Sequence, residues 1–270
     1  MANHGTLAAV CLALALLTGG CGERRPADRQ ALRLLCGVGL KPALDELLPA
    51  FTEETGIPVE PDYAGSGIIL TRARQEGAAD LFLPGDRFYV EELQRLSGRV
   101  ADCIEIATLS PCIIVAKGNP KKIAALRDFA RQDVRVAVGN AEACQVGRLT
   151  ATLLAKAGVE ARTLNAKEGL TVNELGLWVK LRDVDAAVVW DATAAALGAT
   201  VDTVAIPLDP TSISRVALAL LADARDPNLA RDFMTFCRQP LARSILRRKG
   251  YCVDTPAEAR PPTAPEGGRP

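Results

Sequence analysis

The sequence predicts an α/β protein of two lobes, with mixed sheets and hinge crossovers near residues 110 and 210. Three observations carry this. Strand-like and helix-like runs alternate from Leu32 to Leu96, the alternation restarts at Pro111, and two late strand-like runs return toward the first unit. Lobe one is expected to take residues 31–110 plus 210–255, and lobe two residues 111–209.

Leu32 to Cys36 is the first strand, and Gly37-Val38-Gly39 turns it into a helix from Leu40 to Thr55. Leu40, Leu44, Leu47, Leu48 and Phe51 recur on one face of that helix, Pro42 suits its first turn and Gly56 ends it. Ile57 to Tyr63 is a short strand, and Gly65-Ser66-Gly67 opens a helix over Ile68 to Glu76. Asp80 to Leu83 is a third strand, and Arg87 to Leu96 a further helix. In the second unit Pro111 to Lys117 is a strand, Leu126 to Phe129 a short helix and Val134 to Val138 a strand. Helices follow over Gly147 to Ala157 and Asn173 to Arg182, then a strand over Asp185 to Val189. Val201 to Leu208 and Ser214 to Leu221 are the late strands. Helices near Asn228–Arg238 and Leu241–Lys249 close the pattern.

The amino terminus reads as a targeting segment. Leu7 to Leu17 is an uncharged apolar run of eleven residues. A membrane-spanning helix needs about 20, so the run suits a signal-peptide core better than a span. Leu17-Thr18-Gly19-Gly20-Cys21 follows and resembles the lipobox of bacterial lipoproteins. The resemblance implies a signal peptide over 1–20, lipid on Cys21 and a polar tether over 21–30; an uncleaved anchor is the other reading. One departure stands out: the first ten residues contain no Lys or Arg. Residues 256–270 are expected to form a disordered, proline-rich tail.

Composition excludes several classes. There are 32 basic and 32 acidic residues, and aromatic residues are 4% of the chain. With no basic stripe and few stacking platforms, nucleic acid is not an expected partner. Removal of residues 1–20 leaves Cys36, Cys103, Cys112, Cys144, Cys237 and Cys252 beside the lipidated cysteine, an even number in an oxidising compartment. Cys237 and Cys252 flank the last helix and are the first expectation for a disulfide bond. The alternative is that several cysteines are simply small buried residues. No CxxC occurs and the only histidine, His4, lies in the signal segment, so no metal site is expected.

Ligands in open α/β sheets bind beyond the carboxyl ends of strands, where helices begin. Four corners qualify: Gly37-Val38-Gly39, Gly65-Ser66-Gly67, Gly139 to Gly147, and Leu170 to Asn173, where Thr171 or Asn173 could cap a helix. Free amides and a positive helix end favour an anion there, although any one glycine turn is compatible with a turn and nothing more. No third glycine completes a dinucleotide fingerprint after Gly39, and no phosphate-binding GxxxxGK[ST] run exists. A nucleophile–histidine triad has no usable histidine. Asp80, Asp86, Asp185 and Asp191 are available carboxylates with no specified pairing, so neither an enzyme nor a cofactor is expected.

At these corners the chain resembles the periplasmic molybdate-binding proteins of uptake transporters, within the type 2 solute-binding proteins. Gly39-Leu40-Lys41-Pro42-Ala43-Leu44, Phe51 to Val59, Tyr63-Ala64-Gly65-Ser66-Gly67, Ala79-Asp80-Leu81-Phe82 and Ala116 to Pro120 carry it. So do Val136 to Asn140 and Val184 to Ala192. The resemblance implies a type 2 periplasmic binding protein fold that closes over a tetrahedral oxyanion and passes it to an ABC transporter permease. It places ligand contacts at Gly39, Ser66, Val146, Val172 and Trp190. Gly39 stands where the family has a second serine, and Trp190 where it has a tyrosine, so two hydroxyl donors are missing. Trp190 would wall the cleft or pack between sheet and helix. Convergence of Cys36, Cys112 and Cys144 as thiolates would instead suit a soft metal or metalloid, and a ligand-sensing lipoprotein is the alternative to an uptake component.

Overall fold

The structure, a computed structural model, describes residues 30–253. The expected signal peptide, Cys21 and the 256–270 tail lie outside the described residues. Two five-stranded mixed sheets make the two lobes. The first contains β1 (Leu32–Gly37), β2 (Val59–Ala64), β3 (Leu81–Leu83), β4 (Val100–Leu109) and β10 (Ser214–Leu221), in the order β2-β1-β3-β10-β4. The second contains β5 (Pro111–Ala116), β6 (Val136–Gly139), β7 (Ala166–Gly169), β8 (Ala186–Trp190) and β9 (Val201–Val204), in the order β7-β6-β8-β5-β9. In each sheet four strands run in one direction and one runs against them: β10 lies antiparallel to β3 and β4, and β5 antiparallel to β8 and β9. The chain crosses to the second sheet through Ser110 alone and returns between Val204 and Ser214.

Helices α1 (Lys41–Thr55), α2 (Ser66–Ala73), α3 (Arg87–Ser97), α7 (Pro227–Phe236) and α8 (Pro240–Arg248) belong with the first sheet. Helices α4 (Gln145–Lys156), α5 (Val172–Lys180) and α6 (Asp191–Leu197) belong with the second. The apolar face of α1 buries Leu44, Leu47, Leu48 and Phe51, and Phe51 meets Phe233 and Phe236 of α7 edge-on at 5.0 and 5.4 Å. Gly56 ends α1 at φ 69°, a left-handed cap that glycine adopts without a Cβ clash.

The same carboxylate device recurs in both lobes. Asp80 accepts from the Arg33 amide at 2.7 Å and returns its own amide to the Arg33 carbonyl at 2.9 Å. Asp185 does the same with Arg135, at 2.8 and 2.7 Å. Arg225 adds an ion pair to the buried Asp80 at 2.7 Å. Burial alone would raise the Asp80 pKa, but Arg225 and the two backbone amides outweigh it and hold the carboxyl below its ordinary value. Asp86 caps α3 by accepting from the Phe88 amide. These carboxylates register strands and a helix end, which is a structural use for groups the sequence left unassigned.

The expected Cys237–Cys252 disulfide is corrected: all six described cysteines are free. Cys237 ends α7 in the core, whereas Cys252 is held on β4 by reciprocal backbone hydrogen bonds with Thr108 of 2.6 and 3.1 Å. Flanking α8 in sequence does not pair them, because the turn at Gly250 (φ 87°) sends the chain on to β4. Two edge strands were not anticipated. In β4 the first four residues bury no side chain fully, and in β7 only Gly169 is buried, so neither has a clean apolar alternation. The late run at Val201 stops at Val204, before Pro207, because that stretch is the second crossover.

Candidate functional site

The carboxyl ends of the parallel strands in the two sheets face one another, and the first turns of α2, α4 and α5 point into the gap. A small cavity lies there. Gly37, Val38, Gly39, Leu40, Ser66, Gly85, Leu109, Cys144, Gln145, Val146, Thr171, Val172 and Trp190 line it, together with Ala64 and Gly65. All five residues expected to contact a ligand, Gly39, Ser66, Val146, Val172 and Trp190, are therefore at one cavity. The space open to centres of water-sized spheres is about 30 Å³, against the roughly 10–15 Å³ that one water needs. The cavity is thus a small one.

Sequence chemistry explains each wall. Ser66 opens α2 and is 5% exposed, and its Oγ accepts from the Gly85 amide at 3.0 Å. That acceptance leaves the hydroxyl hydrogen free to point elsewhere. The amides of Val146 and Val172 lie in first helical turns, where no intrahelical acceptor exists. Among the described residues neither finds another backbone acceptor. Thr171 caps α5 in a reciprocal box with Glu174: its Oγ accepts from the Glu174 amide, and the Glu174 carboxylate takes the Leu170 and Thr171 amides at 2.7 and 2.9 Å. Trp190 ends β8, is 4% exposed, and its Cδ1 would stand 3.8 Å from a Cβ placed on Gly39. It both packs the wall and faces the cavity.

The lobes are in contact around this space. The Gly67 amide donates to the Ala143 carbonyl across the gap at 2.9 Å. A Cβ on Gly65 would sit 2.4 Å from the Ala143 carbonyl oxygen, and one on Gly67 would sit 1.7 Å from that of Glu142. The two glycines are there for backbone approach between lobes. Gln145 bridges the lobes too, donating to Ser214 Oγ at 3.2 Å and accepting from Arg148 Nε at 3.1 Å. The Arg148 guanidinium then covers the Phe88 ring of the first lobe at 4.0 Å.

Among the described residues no charged side chain lines the cavity. Of the three cysteines considered for a thiolate site, only Cys144 reaches it. Burial pushes the Cys144 thiol up to about 11 and the Cys112 thiol up to about 12, and raises Cys36 as well, so the thiolate form is disfavoured. Among the described residues no group of three or more His, Cys, Asp or Glu side chains could hold a metal ion. The carboxyl of Asp191, just beyond Trp190, is pushed up to about 6 by burial, opposed by hydrogen bonds that include the Ala192 amide.

Residues 32–252 match the family described as bacterial extracellular solute-binding protein. The chain belongs to that family. Its members bind their solutes rather than transform them. A Haemophilus influenzae relative is 28% identical to this solute-binding protein over 226 residues, spanning 82% of this chain and 90% of its own. The molybdate-binding protein ModA of Mycobacterium tuberculosis is 25% identical over 256 residues, 89% of this chain and 95% of its own. Among solved structures, the sulfate-binding protein SubI of M. tuberculosis superposes with a TM-score of 0.73 at 20% identity, covering 85% of this chain and 88% of its own. The Azotobacter vinelandii periplasmic molybdate-binding protein gives 0.68 at 17%, covering 83% and 100%. These likenesses establish the type 2 two-lobed fold. Gly85, Gln145 and Thr171 also line the cavity. Gln145 and Thr171 lay inside corners already marked in the sequence, whereas Gly85 follows a strand with no local signal.

Proposed function

We propose that this solute-binding protein captures a small, fully deprotonated oxyanion of the molybdate or tungstate kind and delivers it to an ABC transporter permease, held at the membrane by lipid on Cys21. One observation carries the reading: a small cavity whose available polar groups are neutral donors. Ser66 offers a hydroxyl hydrogen, Val146 and Val172 offer amides, and Trp190 offers an indole N–H. The side-chain acceptors nearby each already take one hydrogen bond, Ser66 Oγ from Gly85 and Gln145 Oε1 from Arg148. Such a lining suits an ion with no proton to donate, and it penalises protonated phosphate, whose hydroxyl would face donors. The helix N-termini supply the positive potential that absent cationic side chains do not. Size and donor count support the tetrahedral oxyanion class, and the molybdate-binding and sulfate-binding relatives are in keeping with it.

Calorimetry on ligand-free protein with molybdate, tungstate, sulfate and phosphate tests this. Heat and a raised unfolding temperature are expected with at least one of the first three, and a far weaker response with phosphate. No response to any of the four would overturn the oxyanion reading. Labelling of the intact protein with radioactive palmitate in a lipoprotein-processing bacterium, lost on Cys21→Ser, tests the anchor.

A further inference from the structure

Tyr251 lies 212 residues from the cavity corner in sequence, yet its hydroxyl donates to the Gly39 carbonyl at 2.6 Å. The ring is 2% exposed, and burial raises its pKa, so the hydroxyl keeps the hydrogen it donates. The flanking residues of this short segment each touch a different moving part. Gly250, at φ 87°, sits so close to α6 that a Cβ on it would meet Ala192 Cα and Ala195 Cβ, both at 3.1 Å. Ala192 is two residues past Trp190, the cavity wall of the second lobe. Cys252 is hydrogen-bonded in both directions to Thr108, two residues before the Ser110 crossover. Three consecutive residues thus join the first lobe's cavity corner, the second lobe's wall helix and the strand that leads into the hinge.

We infer that Tyr251 is a positioning residue for solute capture, its hydroxyl fixing the Gly39 corner, and that Gly250 to Cys252 form a strap that holds this corner in register with the hinge. The physical need is specific. Gly39 lies in the single 3-10 turn Val38–Leu40, where the Lys41 amide donates to the Val38 carbonyl, but it has no side chain to anchor it and glycine is the residue whose peptide turns most readily. A trans peptide is planar, so pinning the Gly39 carbonyl fixes the plane of the Gly39–Leu40 peptide and with it the direction of the Leu40 amide. Gly37 to Leu40 supply a continuous side of the cavity. Without the hydroxyl, that side would have to be ordered at the moment of binding, and affinity would fall by the population of the competent arrangement.

The inference rests on the oxyanion reading for its ligand, and the test separates the two. Tyr251→Phe keeps the buried ring and removes only the donor. Amide hydrogen exchange on ligand-free protein should be faster at Val38, Gly39 and Leu40 in the variant and unchanged in β10, with the urea midpoint lowered modestly by the loss of one buried hydrogen bond. In calorimetry with whichever of molybdate, tungstate or sulfate the unmodified protein binds, the variant should bind about five- to tenfold more weakly. If the unmodified protein binds none of them, the oxyanion reading fails while the exchange comparison still decides the role of Tyr251. Unchanged exchange at the corner, or unchanged affinity beside faster exchange, would overturn the inference. A loss of affinity matched by equal loosening throughout the first lobe would overturn it as well, since a general packing role would then account for both.

Discussion

The Gly85 amide donates to Ser66 Oγ at 3.0 Å, and that single bond decides what the serine can do in the cavity. With one lone pair occupied by Gly85, the hydroxyl hydrogen is free to turn toward the cavity. Under the proposed function, Ser66→Ala removes the hydroxyl proposed to donate to the solute, and it also removes the acceptor of a half-buried amide. A charge-assisted hydrogen bond contributes about 1.5–3 kcal/mol, so affinity should fall by roughly tenfold or more. Calorimetry with the preferred oxyanion and a urea melt of the same variant check this. An unchanged dissociation constant would take Ser66 out of the site.

Asp191 gives a pH dependence whose sign can be worked out. Its folded pKa, pushed up to about 6, lies above the ordinary carboxyl value of about 4, so the native state holds the proton more tightly than the unfolded chain. Its contribution therefore declines as pH rises from about 4 to about 6 and then stays level, a change on the order of 2 kcal/mol. Cys112 and Tyr251 are the titratable groups that face it. Asp191→Asn keeps an acceptor for the Ala192 amide and cannot ionise. Other carboxylates with lowered pKa values act in the opposite sense, so the unfolding free energy of wild type minus variant is the quantity to follow. It should decrease between pH 4 and 7; a flat difference would mean that Asp191 is not held protonated.

The cysteine correction has a direct chemical check. Cys36, Cys144 and Cys237 are buried and Cys103, Cys112 and Cys252 partly buried, and all six are free. A purified chain starting at residue 30, unfolded without reductant, should release six equivalents in a thiol titration. Folded protein should react more slowly, since burial raises the pKa of Cys36, Cys112, Cys144 and Cys237 and the thiolate is the nucleophile. Two or four equivalents after unfolding would mean that disulfides form.

Much of this arrangement was legible in the sequence, and the rest was hidden for identifiable reasons. The strand-to-helix corners at Gly37, Gly65, Gly139 and Thr171 showed because glycine and capping residues interrupt clear apolar runs. β10 was read to its ends, Ser214 and Leu221, because it is buried through most of its length. β4 and β7 were not, because an edge strand needs no apolar alternation. Side-chain roles set by distant partners were equally silent. Nothing near Tyr251 in sequence points to Gly39, and nothing near Asp80 points to Arg225. Cys237 and Cys252 show the same limit, since closeness along the chain does not set closeness in space.

Gly67 shows how the fold reinterprets a sequence signal. The glycines beside Ser66 suggested exposed amides ready for an anion, yet the Gly67 amide is spent on the Ala143 carbonyl of the other lobe at 2.9 Å. A methyl group on Gly67 would lie 1.7 Å from the Glu142 carbonyl oxygen, far inside van der Waals contact and against backbone that cannot swing aside. Gly67→Ala should therefore leave each lobe folded and stop the lobes from meeting here. Alanine is also the better helix former in the first turn of α2, so the variant isolates the steric effect from any loss of local stability. The expected result is a weakening of solute affinity by at least about tenfold, since the closed arrangement becomes the minor state, with secondary structure by circular dichroism preserved. Small-angle scattering with saturating solute should show wild type contracting and the variant remaining extended. Contraction of both to the same radius, with equal affinity, would mean that closure does not pass through the Gly67–Ala143 contact.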